Sequence, residues 1–294
     1  MSASNYSIND LERLTGIKAH TIRMWEKRYQ VVKPMRTSGN IRYYSDTQLR
    51  RLLNISLLLR NGFKISKTAR LSDEVLNEKV LSISFDASNS DSQIENLIIA
   101  MMELDEKKFE KTIANASISL GFENTILNII YPFFDKVGVL WQVGNINPAQ
   151  EHFISNLLRQ KLIVAIDGQI SPITAQSKRF LLFLPEGEWH ELGLLFYAYI
   201  IRKNGHKLIY LGQSVPFNNL LEIGKVKPPD VLVTSLSAPK TEKEIAAYFQ
   251  QLHDAFPKVP IFVSGLQMAD YNLPLPENVS VMKTLQDFKF FLNQ

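Results

Sequence analysis

Cysteine is absent from the 294 residues, which excludes disulfides, thiolate metal sites and cysteine nucleophiles together. No stretch approaches the roughly 20 uninterrupted apolar residues that a membrane helix requires, so no span is expected. The opening MSASNYSINDLERL has no basic segment followed by an apolar run, and no secretory signal is expected either. Two phosphate-cradling patterns are also missing: there is no Gly-x-Gly-x-x-Gly turn for a dinucleotide and no Gly-x-x-x-x-Gly-Lys for a triphosphate. These absences fit a cytoplasmic chain and remove the commonest nucleotide-dependent activities.

What is present is globular in composition, with 45% hydrophobic and 21% charged residues, at a length suited to two or three domains. Charge is unevenly placed. Residues 1–75 hold 14 Lys/Arg against 6 Asp/Glu, whereas the remaining 219 hold 19 against 23, so the basic excess lies entirely at the front. A confined excess of this kind is the electrostatic footprint of a nucleic-acid-binding module, because Lys and Arg displace counterions condensed on phosphates.

The front also has local order. Ser7-Ile8-Asn9-Asp10 has the spacing of a capping box and predicts a helix start, with Ile8, Leu11 and Leu14 on one face. Thr15-Gly16-Ile17 interrupts it before a second helix from about Lys18 to Tyr29. In a helix-turn-helix the second helix enters the major groove, which makes Lys18, His20, Thr21 and Arg23 the candidates for contact with DNA. Residues 35–44 read as two short extended runs joined at Gly39-Asn40, a wing whose Arg36, Asn40, Arg42, Tyr43 and Tyr44 offer cationic and polar groups to a DNA backbone. The plain alternative is a surface hairpin with its tyrosines in the core. Ser45-Asp46-Thr47-Gln48 is a second capping box, opening a helix that buries Leu49, Leu52, Leu53 and Leu57 and stops at Asn61-Gly62.

Residues 6 to about 75 resemble the MerR family of transcription regulators, through Thr21-Ile22-Arg23-x-Trp25-Glu26-x-Arg28-Tyr29 followed by Arg42-Tyr43-Tyr44-Ser45. The resemblance implies binding to double-stranded DNA as a homo-oligomer, a dimer or tetramer. The long heptad helix that usually joins such dimers is missing from the sequence, and Asp86-Ala87-Ser88-Asn89-Ser90-Asp91-Ser92 has linker composition instead. Domain bounds of 1–76, a linker at 77–92, 93–172 and 173–294 follow.

From Gln93 to about Ile170 helical periodicity repeats and predicts a four-helix bundle. After Lys178 short apolar runs alternate with amphipathic stretches: 180–184, 207–211, 230–235, 260–263 and 279–283 are the expected strands. That alternation predicts a doubly wound, flavodoxin-like sheet of five parallel strands, which binds ligands beyond the strands' carboxyl ends. The whole chain is thus expected to be multidomain, α+β, then α, then α/β. At the end of the first of these strands Glu188 stands two residues before His190, and a carboxylate that holds one ring nitrogen makes the imidazole a good metal ligand.

The back domain resembles the cobalamin-binding domain, whose Asp-x-His-x-x-Gly, Ser-x-Leu and Gly-Gly motifs occupy these strand ends. His190, Gly193, Ser235 and Gly265 match; Glu188 stands for the aspartate, Ser237 for the leucine and Ser264 for the first glycine of the pair. The resemblance implies His190 as lower axial ligand of cobalt. The middle segment is similar to the helical cap of photoreceptor-type MerR regulators, where Trp-x9-Glu-His covers an adenosyl group; Trp141, Glu151 and His152 match it. Adenosylcobalamin is therefore the implied cofactor. In light-sensing members a histidine follows that tryptophan, and here the residue is Gln142. A cobalamin-controlled regulator that is not an enzyme is the leading reading. A regulator with a degenerate cobalamin domain, answering to a partner protein or another ligand, is the alternative. A cobalamin-dependent methyl carrier or enzyme ranks below both, because no further domain is left to act on a substrate.

Overall fold

The computed structural model describes the chain except residues 1–5, 37–39, 61, 83–89, 143–146, 270, 272–273 and 293–294, and the side chains at 77, 80–82, 139, 141–142 and 269. It divides into two compact units, Met1–Asn156 and Leu157–Gln294.

The first unit begins with helix α1 (Ile8–Thr15), and the expected capping box is formed, with Ser7 Oγ accepting from the Asp10 amide and Asp10 accepting from that of Ser7. Gly16, at φ 71°, ends it in the left-handed conformation that a glycine reaches without strain. Helix α2 (Ala19–Tyr29) follows after two residues; Lys18 supplies no side-chain cap, and Glu12 of α1 instead accepts from the Ala19 amide at 3.0 Å. Strands β1 (Met35–Arg36) and β2 (Arg42–Tyr43) pair antiparallel as the wing, whose Gly39 lies outside the described residues. Helix α3 (Asp46–Arg60) opens on the second capping box, Ser45 with Gln48. Short helices α4 (Ile65–Thr68) and α5 (Asp73–Ser82) complete this part, so the first residues of the expected linker are helical and its remainder lies largely outside the described residues. Leu11, Leu14, Ile22, Trp25, Leu49, Leu52 and Leu53 form the buried centre.

The helical part comprises α6 (Ser90–Glu103), α7 (Glu106–Leu120), α8 (Phe122–Thr125), a π-helical turn at Ile126–Ile130, α9 (Tyr131–Gln142) and α10 (Pro148–Asp167). Pro132 has no N–H to continue the ladder, and the wide turn just before it accommodates that loss. Residues 92–101 of α6 are all buried, and they pack against α3 as well as α7 and α9. Polar groups are buried at this junction, Glu95 among them. Glu95 is fully buried, its Oε1 meeting Arg60 Nη2 at 3.1 Å and Ser56 Oγ at 3.2 Å, while Oε2 has no hydrogen-bond partner among the described residues.

The second unit holds β3 (Arg179–Pro185), α11 (Leu192–Lys203), β4 (Lys207–Val215), α12 (Phe217–Val226), β5 (Val231–Ser235), α13 (Glu242–Ala255), β6 (Ile261–Ser264), α14 (Leu266–Ala269), β7 (Val279–Val281) and α15 (Leu285–Leu292). Five parallel strands lie in the order β4-β3-β5-β6-β7, the doubly wound arrangement expected, with the reversal of strand order between β3 and β5. Successive strand residues face opposite sides. Leu181, Phe183 and Leu232 pack with Ile245 and Phe249 of α13, whereas Phe180 and Phe262 meet Phe288 of α15 on the other face. β4 runs four residues further than the apolar run suggested, and its register against β3 slips twice near the end.

Candidate functional site

In the front domain Lys18, His20, Arg23, Arg36, Asn40 and Arg42 are exposed, and Thr21 and Tyr43 are half-buried. These are spread over α2 and the wing, with Arg36 bonding Asn40 and Arg42 lying 3.7 Å from Glu26. Lys18 pairs with Glu12 at 3.0 Å, and the Ala19 amide and Lys18 hold the Glu12 carboxyl below its usual range. Tyr44 requires correction: it is fully buried and its hydroxyl donates to the Glu26 carboxylate, so it braces α2 against β2 and offers nothing to DNA. Alternation along the strand explains why neighbouring Tyr43 and Tyr44 part company, and the Tyr44 main chain is further engaged in two 2.9 Å bonds to Tyr6.

At the carboxyl ends of β3 and β5, just at the reversal of strand order, a second constellation is assembled. Glu188 is fully buried. Its Oε1 lies 2.6 Å from His190 Nδ1 and accepts from the Trp189 and His190 amides at 3.0 Å, while Oε2 accepts from the Ser237 and Ala238 amides at 2.7 Å. Burial alone would raise this carboxyl, but the Ala238, Ser237 and His190 amides and the His190 ring outweigh it and hold the group below the ordinary carboxylate range. The carboxylate at 2.6 Å engages Nδ1 and orients the ring, and the 67% exposed side chain leaves its second nitrogen accessible.

The remaining matched positions divide. Ser237 acts through its main chain, so exchange of its side-chain type leaves the contact with Glu188 intact. A Cβ at Gly193 would meet nothing within 4 Å, which keeps the approach beside His190 open. Gly265, at φ 107°, would place a Cβ 2.3 Å from the Leu236 carbonyl oxygen; that glycine serves the packing of β6 on β5. Ser235 and Ser264 are buried, and the Ser264 hydroxyl is bonded to that of Tyr197. In the helical part Glu151 accepts from Ser155 Oγ at 2.5 Å and lies 3.6 Å from the His152 ring; Trp141 closes α9, with its side chain outside the described residues. The sequence reading missed Ala238, Tyr210, Arg159 and Glu191, whose roles depend on contacts distant in the chain.

Among the described residues no group of three or more His, Cys, Asp or Glu side chains could hold a metal ion. A lone oriented imidazole suits a metal that arrives already bound in a macrocycle and needs one axial donor. The residues at the strand ends thus fit cobalamin through the chemistry of their single donor.

The fold places a winged helix-turn-helix in front and a doubly wound parallel sheet with an oriented strand-end histidine behind. Residues 6–74 match the MerR HTH family regulatory proteins, and residues 93–165 match the B12 binding domain. The chain thus carries a MerR-type HTH region followed by a segment that matches a B12 binding domain. It is 26% identical over 272 residues to the HTH-type transcriptional repressor CarH of Myxococcus xanthus, covering 90% of each chain. To the HTH-type transcriptional repressor CarA of the same organism it is 27% identical over 262 residues, covering 88% of this chain and 86% of the relative. Both relatives are named as transcriptional repressors, in keeping with the leading reading. The monomethylamine corrinoid protein of Methanosarcina barkeri shares the fold, with a TM-score of 0.52 at 15% identity, covering 67% of this chain and 95% of that one. No helix among the described residues is long and apolar enough to cross a membrane.

Proposed function

We propose that this protein is a DNA-binding transcriptional regulator whose oligomeric state, and through it operator affinity, is set by cobalamin held on the C-terminal sheet with His190 as the lower axial ligand of cobalt. The observation that carries this reading is the buried, ionised Glu188 engaging Nδ1 of an otherwise exposed imidazole. Adenosylcobalamin is the form proposed; when bound it supplies a carbon–cobalt bond that light breaks. Glu188 keeps the His190 ring oriented through Nδ1, and the open face at Gly193 leaves room for a bulky group. Trp141, Glu151 and His152 are assigned to covering the upper face. With Gln142 in place of a histidine, no second imidazole follows Trp141, so a light product with histidine on both faces of cobalt is not expected. Lys18, His20, Thr21, Arg23, Arg36, Asn40, Arg42 and Tyr43 form the face assigned to double-stranded DNA. Control requires that cofactor bind one assembly state better than another, since equal affinity shifts nothing.

A second reading, a regulator answering to another ligand or partner protein, draws on Ser264, whose side chain occupies a strand-end position and is tied to Tyr197. One experiment separates the two. Visible absorbance titration with adenosylcobalamin in the dark, repeated on His190→Ala, is followed by size-exclusion chromatography before and after illumination. Stoichiometric binding with an altered spectrum in the variant supports cobalamin on His190; absence of binding by the wild type refutes it.

A further inference from the structure

Glu191 follows the ligand candidate directly, and Glu188 and His190 hold one another without it. Yet it is buried, 4% exposed, and doubly engaged: Oε2 accepts from the Tyr210 hydroxyl at 2.9 Å and Oε1 from Arg159 Nε. Its carbonyl accepts the Leu195 amide at 2.9 Å, so the residue is also the first anchor of α11. Tyr210 comes from β4 and Arg159 from α10, two elements far apart in sequence. Burying the Glu191 carboxylate costs it its hydration, and the half-exposed Arg159 and the Tyr210 hydroxyl are the partners that offset this and hold the segment in place.

β4 adds to the same grip. Its register slips after Tyr210, leaving Leu211 as an extra residue, and Gly212 and Ser214 then take positive φ of 79° and 50°. Bulges of this kind re-aim side chains beside functional sites. Here Gln213 Nε2 donates to the Trp189 carbonyl at 2.8 Å, the Ser214 amide to the Glu188 carbonyl at 3.1 Å, and Ser214 Oγ accepts from the Gly187 amide at 3.1 Å. Residues 187–191 are thus tied to β4 on one side and, through Glu191, to Arg159 of α10 on the other.

We propose that Glu191 is a positioning residue for His190, and that Arg159, bonded to it, makes helix α10 part of the support on which the cobalt ligand rests. This inference depends on the reading of His190 as that ligand. Were a metal held by His190, the pull on its ring would fall on the segment that follows, which Glu191 anchors to Arg159 and Tyr210. The two residues form one link, so removing either breaks the same support.

The test uses the full-length protein with Arg159→Met, Glu191→Gln and the double variant, each preserving side-chain size, with circular dichroism to establish that all three fold. Hydroxocobalamin is titrated and followed by visible absorbance. Each single variant is expected to bind about tenfold more weakly, with the bound spectrum moved toward that of His190→Ala, the scale usual when an outer support of a metal ligand is lost. The double variant is expected to bind no more weakly than either single one. Wild-type affinity and spectrum in both single variants, or losses that add in the double, would overturn the proposal. Amide hydrogen exchange on the ligand-free proteins provides a second readout: Arg159→Met is expected to speed exchange over residues 187–191 relative to β5, and unchanged rates there refute the link. Should the wild type take up no hydroxocobalamin, the cobalamin reading fails, and the link to α10 stands or falls on the exchange result.

Discussion

Replacement of Glu95 by glutamine is expected to make this protein more stable at alkaline pH and to change little in acid. Burial between α3 and α6 pushes the Glu95 carboxyl up to about 7, against the pull of Arg60 and Lys136, from an ordinary 4.5. The raised value means that the folded chain keeps a proton the unfolded chain has already released. Stability from this group is therefore fully present below about 4.5, falls as pH rises from there to about 7, and is flat beyond. A displacement of that size corresponds to about 3 kcal/mol lost between the two ends. Glutamine has no charge to bury, so the pH-dependent loss disappears; Arg60, however, exchanges a carboxylate at 3.1 Å for a neutral amide and keeps the Asp91 carboxylate at 3.8 Å. We expect a net gain of about 1–2 kcal/mol at pH 8 and a difference near zero or slightly unfavourable at pH 5, where the native carboxyl is already neutral. Urea unfolding at the two pH values, followed by circular dichroism, measures the difference directly. A glutamine variant whose advantage over the wild type fails to grow between pH 5 and pH 8 would refute the reasoning, because it would mean that the ion pairs with Arg60 and Lys136 outweigh burial.

The other predictions concern the two sites. Glu188→Ala removes the acceptor of four main-chain amides, and a stability loss of at least about 2 kcal/mol is expected in thermal unfolding. Because that carboxyl is held below its ordinary range, its contribution is present above about 4.5 and is lost as pH falls through the folded value, so the cost of the substitution should shrink in acid. Gly265→Ala sets a Cβ 2.3 Å from the Leu236 carbonyl at a φ of 107°, and should cost about 2 kcal/mol or more by the same assay; near-wild-type stability would show that β6 can move away from β5. Arg36→Ala should weaken binding to every DNA sequence and lower the slope of log affinity against log salt by about 1, as titrations at several salt concentrations would reveal. Tyr44→Phe should cost about 1 kcal/mol of stability through the lost bond to Glu26, and a change in the salt slope of DNA binding would contradict its assignment to the core.

Features fixed by neighbours in the chain were readable from sequence. Both capping boxes, at Ser7 and Ser45, are formed, because a hydroxyl and a carboxylate or amide three residues apart need nothing else. The five strands were visible as apolar runs because a sheet covered on both faces tolerates no polar alternation. Glu188 and His190 were found for the same reason, being two residues apart. Contacts across the chain left no such trace. Glu12 caps α2 from the preceding helix, seven residues from the Ala19 amide it receives, in place of the local cap that Lys18 cannot provide. Arg159 and Tyr210 meet Glu191 from 32 and 19 residues away. The end of β4 was cut short for another reason: the apolar run stops at Leu211, yet Gly212, Gln213 and Ser214 remain in the strand, with bulges that hold the loop. Tyr44 was misplaced because a polar tip on an aromatic ring looks alike on either face of a hairpin.

Those bulges bear on how copies of this protein can meet. β4 is one outer strand of the sheet and β7, only three residues long, is the other. An outer strand normally offers its unpaired amides and carbonyls as a template for another chain. Here the last third of β4 is kinked and turned inward on the loop, and β7 is too short to recruit a partner strand. Growth of the sheet from molecule to molecule is thereby disfavoured at both margins, and any assembly of this unit would draw on side-chain surfaces rather than on a shared strand.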